Sequence, residues 1–261
     1  MARWNYREIE YDAIDVPKVK ENDFLFKVVA IASFIEITSD LYEKNLAEFY
    51  AGDEPIVSWL ESTWEPEEIQ HGRALRKYVR TVWPDFDWDK AYKGFRQEYG
   101  KLCTLDEFQP TRAREMLARM VVETGTSTLY RAMTDYAKSI DEPILAEIAH
   151  NIHKDEVYHY EEFDKGFEKY NQEEHLGRTD ITKVIYARLK EASDEDIFIA
   201  HKYIAPGEDF EHFKARTKTF AKEFYPYKMA VKMLMHPLHL HRHVENATAS
   251  TIQGALRVLG I

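Results

Sequence analysis

Glu68 and His71 lie three residues apart in Trp64-Glu65-Pro66-Glu67-Glu68-Ile69-Gln70-His71-Gly72. On a helix this spacing puts both side chains on one face, where they can share a metal ion. The pattern recurs as Glu156 and His159 in Lys154-Asp155-Glu156-Val157-Tyr158-His159. Each copy follows a lone glutamate inside an apolar helical run, Glu36 in Phe34-Ile35-Glu36-Ile37 and Glu123 in Met120-Val121-Val122-Glu123-Thr124. Read alone, Glu36 is a polar residue at the edge of a stripe, because charged side chains are seldom buried unpaired. The order Glu, ExxH, Glu, ExxH makes them the remaining members of a six-ligand set. Four carboxylates and two imidazoles offer hard oxygen and intermediate nitrogen donors, suited to Fe(II) or Mn(II). Their four negative charges balance two divalent cations, so a filled site can sit in an apolar interior. Without metal the same carboxylates repel one another. Metal is therefore expected to stabilise the fold.

Four long helices must carry these ligands. The first runs from Glu21, with Phe24, Val28, Ile31, Ile35, Thr38 and Tyr42 spaced by three and four, until Ala51-Gly52-Asp53-Glu54-Pro55 ends it. A short segment from Pro55 to Ser62 leads into the second, about 66–82, where Glu68, His71, Leu75, Tyr78 and Val82 form one stripe and Pro66 suits the first turn. The third spans Thr111 to about Lys138. Its run Thr124-Gly125-Thr126-Ser127-Thr128 disfavours helix, which leaves two readings open, space for substrate or oxygen beside Glu123, or close helix packing. The fourth, about 143–170, is capped by Asp141-Glu142-Pro143 and carries Ile152, Glu156, His159 and Phe163 on one stripe. Glu36 to Glu68 is 32 residues and Glu123 to Glu156 is 33, whereas His71 to Glu123 is 52. Two antiparallel helix pairs joined by one long crossover give these intervals. The expected fold is all-α, a ferritin-like four-helix bundle over 21–175. Residues 1–20 are expected to be an arm on the surface. Residues 176–261 are expected to form helices packed on the bundle, near 179–192, 194–204, 209–235 and 238–258.

Composition narrows the function classes. The chain has 261 residues, of which 44% are hydrophobic and 31% charged, enough for a sizeable core. A net charge of -11 argues against general affinity for nucleic acid or anionic membrane. The single cysteine, Cys103, makes neither an internal disulfide nor an iron–sulfur cluster, so a reducing, cytoplasmic location is expected. No run of about 18 apolar residues is present to span a membrane. Arg73, Arg76, Lys77 and Arg80 form a basic strip on the second helix, either a solvated face or a dock for an acidic partner. His236, His239, His241 and His243 are spaced irregularly across Pro237 and read as surface or capping histidines. His153, one turn before Glu156, reads as structural or as a neighbour of the ligands.

The motifs Trp64-x-x-Glu67-Glu68-x-x-His71-Gly72 and Asp155-Glu156-x-x-His159, with Glu123 and Thr126 one turn apart on the third helix, resemble those of the soluble acyl-acyl-carrier-protein desaturases of plants and actinobacteria. The similarity covers roughly residues 20–170. It implies that Glu36, Glu68, His71, Glu123, Glu156 and His159 hold two Fe ions, with a mixed Mn/Fe pair as the alternative, and that O2 is a co-substrate. It further implies that Thr126 lies near the oxygen-binding face, and that Glu68 and Asp155 neighbour an electron path containing a tryptophan, Trp64. The resemblance thus points to an enzyme, an O2-dependent diiron oxidase or desaturase acting on a fatty acyl chain, with an external reductase such as a ferredoxin and a homodimeric assembly. The chain departs from the family in its shorter length, in Val157-Tyr158 within the fourth-helix motif and in its C-terminal helices. Other reactions on the same centre remain open, namely N-oxygenation, aldehyde deformylation or hydroxylation. Iron storage is disfavoured by the second ExxH and by the chain length.

Overall fold

The computed structural model describes residues 3–104, 108–191, 195–241, 243, 246–248 and 250–251. The protein is all-α as expected, and every regular element among the described residues is helical. In chain order these are α1 (Val16–Val19), α2 (Asp23–Ile37), α3 (Asp40–Phe49), α4 (Glu54–Trp59), α5 (Glu65–Val82) and α6 (Trp88–Tyr99). They are followed by α7 (Arg112–Ser139), α8 (Pro143–Glu174), α9 (Arg178–Glu191), α10 (Glu195–Ile204), α11 (Phe210–Phe224) and α12 (Tyr227–Met235).

Three expectations are corrected. The first long helix does not run to Ala51 but breaks at Thr38-Ser39, two residues after Glu36. There the Thr38 hydroxyl donates to the Phe34 carbonyl at 2.7 Å, and the N–H groups of Thr38 and Ser39 bond three residues back, to Ile35 and Glu36, in place of the four-residue ladder. The segment before the second helix is itself helical: α4 continues through a π-helical stretch, Leu60–Trp64, directly into α5. The stretch expected as one helix over 209–235 is two, α11 and α12, because Pro226 has no N–H to continue the ladder. The N-terminal segment packs through short helices of its own. Its 3₁₀ turns and α1 bury Ile9, Tyr11, Ile14 and Val19, the Tyr11 hydroxyl donates to the Ala74 carbonyl at 3.3 Å, and Lys18 donates to the carbonyl and carboxylate of Asp141. The expected helix at 238–258 falls partly outside the described residues, and His239 at its start has φ 46°, a left-handed stop.

Two compact units divide the chain. The first comprises 1–108, 137–148 and 194–214. In it α2 packs along α5, and α6 and α10 pack on α2. Phe34, fully buried, meets Trp88 edge-on at 5.1 Å and Phe95 at 5.5 Å, while the Trp88 indole donates to the Ser33 hydroxyl at 2.9 Å. The approach of α5 to α2 is tightest at Gly72, where a Cβ would fall 2.4 Å from Ile37 Cγ1, 2.6 Å from Ile37 N and 3.1 Å from Glu36 Cβ. Only glycine fits there.

The second unit comprises 109–136, 149–193 and 215–261. Tyr160 of α8 donates to the Met233 carbonyl of α12 at 2.7 Å, Tyr136 of α7 stacks edge-on with Phe220 and Phe224 of α11, and Arg178 of α9 donates to the carbonyls of Leu238 and His239. At Gly166 a Cβ would meet the Met116 sulfur at 2.7 Å, so α7 and α8 also approach closely.

Candidate metal centre

In the first unit Glu36 ends α2, and Glu68 and His71 open the core face of α5. All three are buried, and each offers a donor atom within 4.8 Å of the others. His71 Nδ1 lies 3.5 Å from Glu36 Oε2. Metal–ligand bonds near 2 Å place donors that share one ion within roughly 4 Å of each other, so the triad is close to the size of a single ion's coordination sphere. The local sequence explains the placement. Pro66 starts α5 without disturbing its ladder, the i, i+3 spacing aligns Glu68 with His71, and Gly72 lets Glu36 approach. The π-helical stretch just upstream is the kind of ladder irregularity that often accompanies functional sites.

The second unit repeats the arrangement. Glu123 of α7 and Glu156 and His159 of α8 are buried, again with donors within 4.8 Å. His159 Nδ1 lies 3.8 Å from Glu156 Oε2 and 3.9 Å from Glu123 Oε2. Thr126, half-buried, donates its hydroxyl proton to Glu156 Oε2 at 2.8 Å. Asp155, the residue before Glu156, is also buried. His153 faces away from this role: its Nδ1 sits 2.9 Å from the Ser127 carbonyl, and burial holds its pKa below the ordinary value.

All six expected ligands therefore fall into two triads of one composition, two carboxylates and one imidazole. Two carboxylates 4.8 Å apart repel by about 3.5 kcal/mol at an effective dielectric of 20, and a divalent cation removes that repulsion while neutralising the triad. The donor set, its burial and its convergence fit a metal ion in each unit.

Sequence reasoning missed Trp4. Its ring stacks on His71, with centroids 6.2 Å apart and planes 11° apart, and Arg3 lies 3.7 Å from buried Glu67. Trp64, the tryptophan the motif singles out, is buried in the π-helical stretch. No local spacing could have tied position 4 to position 71. The Thr124–Thr128 run is helical, within α7. Thr124 and Thr128 bond back to carbonyls one turn earlier and Thr128 also meets the Tyr225 hydroxyl, whereas Gly125 is exposed with open space beside it.

The remaining candidates are engaged elsewhere. Arg76 and Arg80 both pair with Asp89 and lie over the Trp88 ring, and Lys77 lies 4.1 Å over Tyr11. His236 and His239 pair with Asp164 and Glu168 of α8, and the rings of His241 and His243 stack on each other. None of these four belongs to a cluster of three or more possible ligands among the described residues. The fold and site thus define an all-helical protein with buried carboxylate–imidazole triads able to hold metal. No protein-family model matches the chain, and no curated protein matches it either.

Proposed function

We propose that the two triads hold the two iron ions of a ferritin-like, O2-dependent oxidoreductase acting on an aliphatic, fatty acyl substrate. The observation that carries this reading is the duplication itself: two buried triads, each a lone Glu plus ExxH, in an order that supplies six ligands and four charges for two divalent ions. Iron bound there would supply the electrons and Lewis acidity needed to activate O2 and oxidise an unactivated C–H bond. The protein's part is positioning and exclusion of water. His71 and His159 are fully buried, and Trp4 covers one face of the His71 ring. The Thr126 hydroxyl holds a proton at Glu156 Oε2 and fixes the direction of that carboxylate. Electrons come from an external donor such as a ferredoxin, since the sequence carries no flavin, haem or iron–sulfur motif. A cytoplasmic homodimer completes the reading.

The test is oxygen uptake by the reduced, iron-loaded protein with and without a long-chain acyl carrier protein. Uptake accelerated by the acyl chain, with a desaturated or hydroxylated product, supports the proposal. Uptake indifferent to the acyl chain would move the assignment to another reaction, such as N-oxygenation, aldehyde deformylation or ferroxidase activity.

A further inference from the structure

An open groove lies wholly within the second unit. Its volume is about 880 Å³, and Val157, Tyr160, Phe224, Met229 and Met233 supply its apolar floor. Charges of both signs surround it. Arg131 is paired with Asp135 and His236 with Asp164, while Lys228 and Lys232 stand with Glu161 and Glu223. The lining therefore selects for apolar contact rather than for one sign of charge. On the far side of Met233 is a narrow apolar gap with no room for a water molecule, lined by Leu117, Met120, Val121, Thr124 and Ile185. Met120 and Thr124 flank Glu123 on α7, one turn before it and one residue after it.

Met233 is the side chain common to both spaces. Its backbone is anchored, because Tyr160 donates to its carbonyl at 2.7 Å. Its thioether accepts from the Ser127 hydroxyl at 3.7 Å, and sulfur is a weak acceptor. An unbranched side chain with three rotatable bonds, fixed at its root and loosely held at its tip, can swing aside at little cost.

We infer that Met233 is a gate, and that an unbranched aliphatic chain lying in the groove enters the interior beside Glu123 by displacing it. The inference rests on the reading of Glu123 as part of a reactive metal centre, and it adds the route and the residue that selects chain shape. Met233 thereby admits a narrow chain and rejects a branched or caged one.

Titration calorimetry on the iron-loaded full chain tests it, with 1-hexanol, 1-heptanol, 1-octanol and 1-adamantanol as probes. The wild type is expected to bind the linear alcohols with affinity rising roughly fourfold per methylene and to exclude 1-adamantanol. Met233→Ala is expected to admit 1-adamantanol. Met233→Leu, close in volume but stiffer and so well tolerated in packing, is expected to weaken 1-octanol binding by about fivefold. Unfolding midpoints and iron content are recorded for all three proteins. Isotherms unchanged by either substitution in folded, iron-loaded protein would overturn the gate and leave the metal reading standing. The expected pattern in protein that binds no iron would support the gate and overturn the metal reading.

Discussion

Thr126 shows what one hydroxyl does at a buried carboxylate. Its 2.8 Å bond to Glu156 Oε2 is charge-assisted and orients the ligand without occupying a coordination position. Thr126→Val is expected to leave the fold intact and to weaken metal affinity by roughly tenfold, read by competition with a chelator; Thr126→Ser should restore it. An affinity unchanged in Thr126→Val would show that the carboxylate is positioned by other groups. At this scale the ligands were readable from the sequence because ExxH spacing repeats and helix geometry converts spacing into a shared face. Trp4 was not, because its stacking on His71 depends on the path of the whole arm. His201 marks another such case. It is buried between Phe210 and Phe213, and desolvation, aided by Lys27 and opposed by Glu208, Asp23 and Asp209, lowers its pKa below the ordinary 6.5. A lowered folded pKa means that the unfolded chain takes up the proton first. Stability therefore falls as the pH drops below 6.5, by up to about 1.4 kcal/mol per pH unit until the folded imidazole also titrates. In His201→Gln the denaturation free energy should lose that part of its slope between pH 6.5 and 5; an unchanged slope would place the proton uptake elsewhere.

Helix α5 is where element-level packing and the site meet. Gly72 follows His71 and faces Ile37 and Glu36, so the residue that lets two backbones approach also brings the lone glutamate to the ExxH pair. Gly72→Ala gains helix propensity of about 1 kcal/mol, but a Cβ 2.6 Å from the Ile37 backbone nitrogen forces α2 and α5 apart. The steric term wins, and a net loss of about 1–3 kcal/mol is expected, with metal lost from the Glu36–Glu68–His71 triad. Normal stability and metal content in this variant would mean that the two helices have more freedom than their contact implies. The ends of α5 and α7 and the start of α8 followed from stripes, prolines and caps, since each of those signals is local. The break after Glu36 and the π-helical stretch before Glu65 had no such signal. Periodicity of three and four continues through Thr38 and Tyr42, although the N–H groups of Thr38 and Ser39 bond three residues back and end the ladder. Pro226 was a signal of the ordinary kind, and the apolar pattern on both sides of it masked the break between α11 and α12.

For the molecule as a whole, the buried triads tie stability to metal. An ion present at a hundred times its dissociation constant adds about 2.7 kcal/mol per site. For a chain of this size each kcal/mol moves the unfolding midpoint by roughly 2–4 °C. Stripping both ions with a chelator is thus expected to lower the midpoint by about 10–20 °C, reversibly on adding Fe(II), and a midpoint indifferent to metal would contradict the electrostatic account of the triads. The all-helical class was readable from the length and spacing of the apolar stripes. The division into two units that each take pieces from three stretches of chain was not, because contacts between distant segments set it. The most direct measurement of the central claim is the metal content per chain of wild type, His71→Ala and His159→Ala after anaerobic reconstitution with Fe(II) and desalting. Two irons in the wild type, with clear loss in each variant, is the expected result. Less than one iron in the wild type, or variants that retain as much as it does, would show that the six side chains are packing residues and not a metal centre.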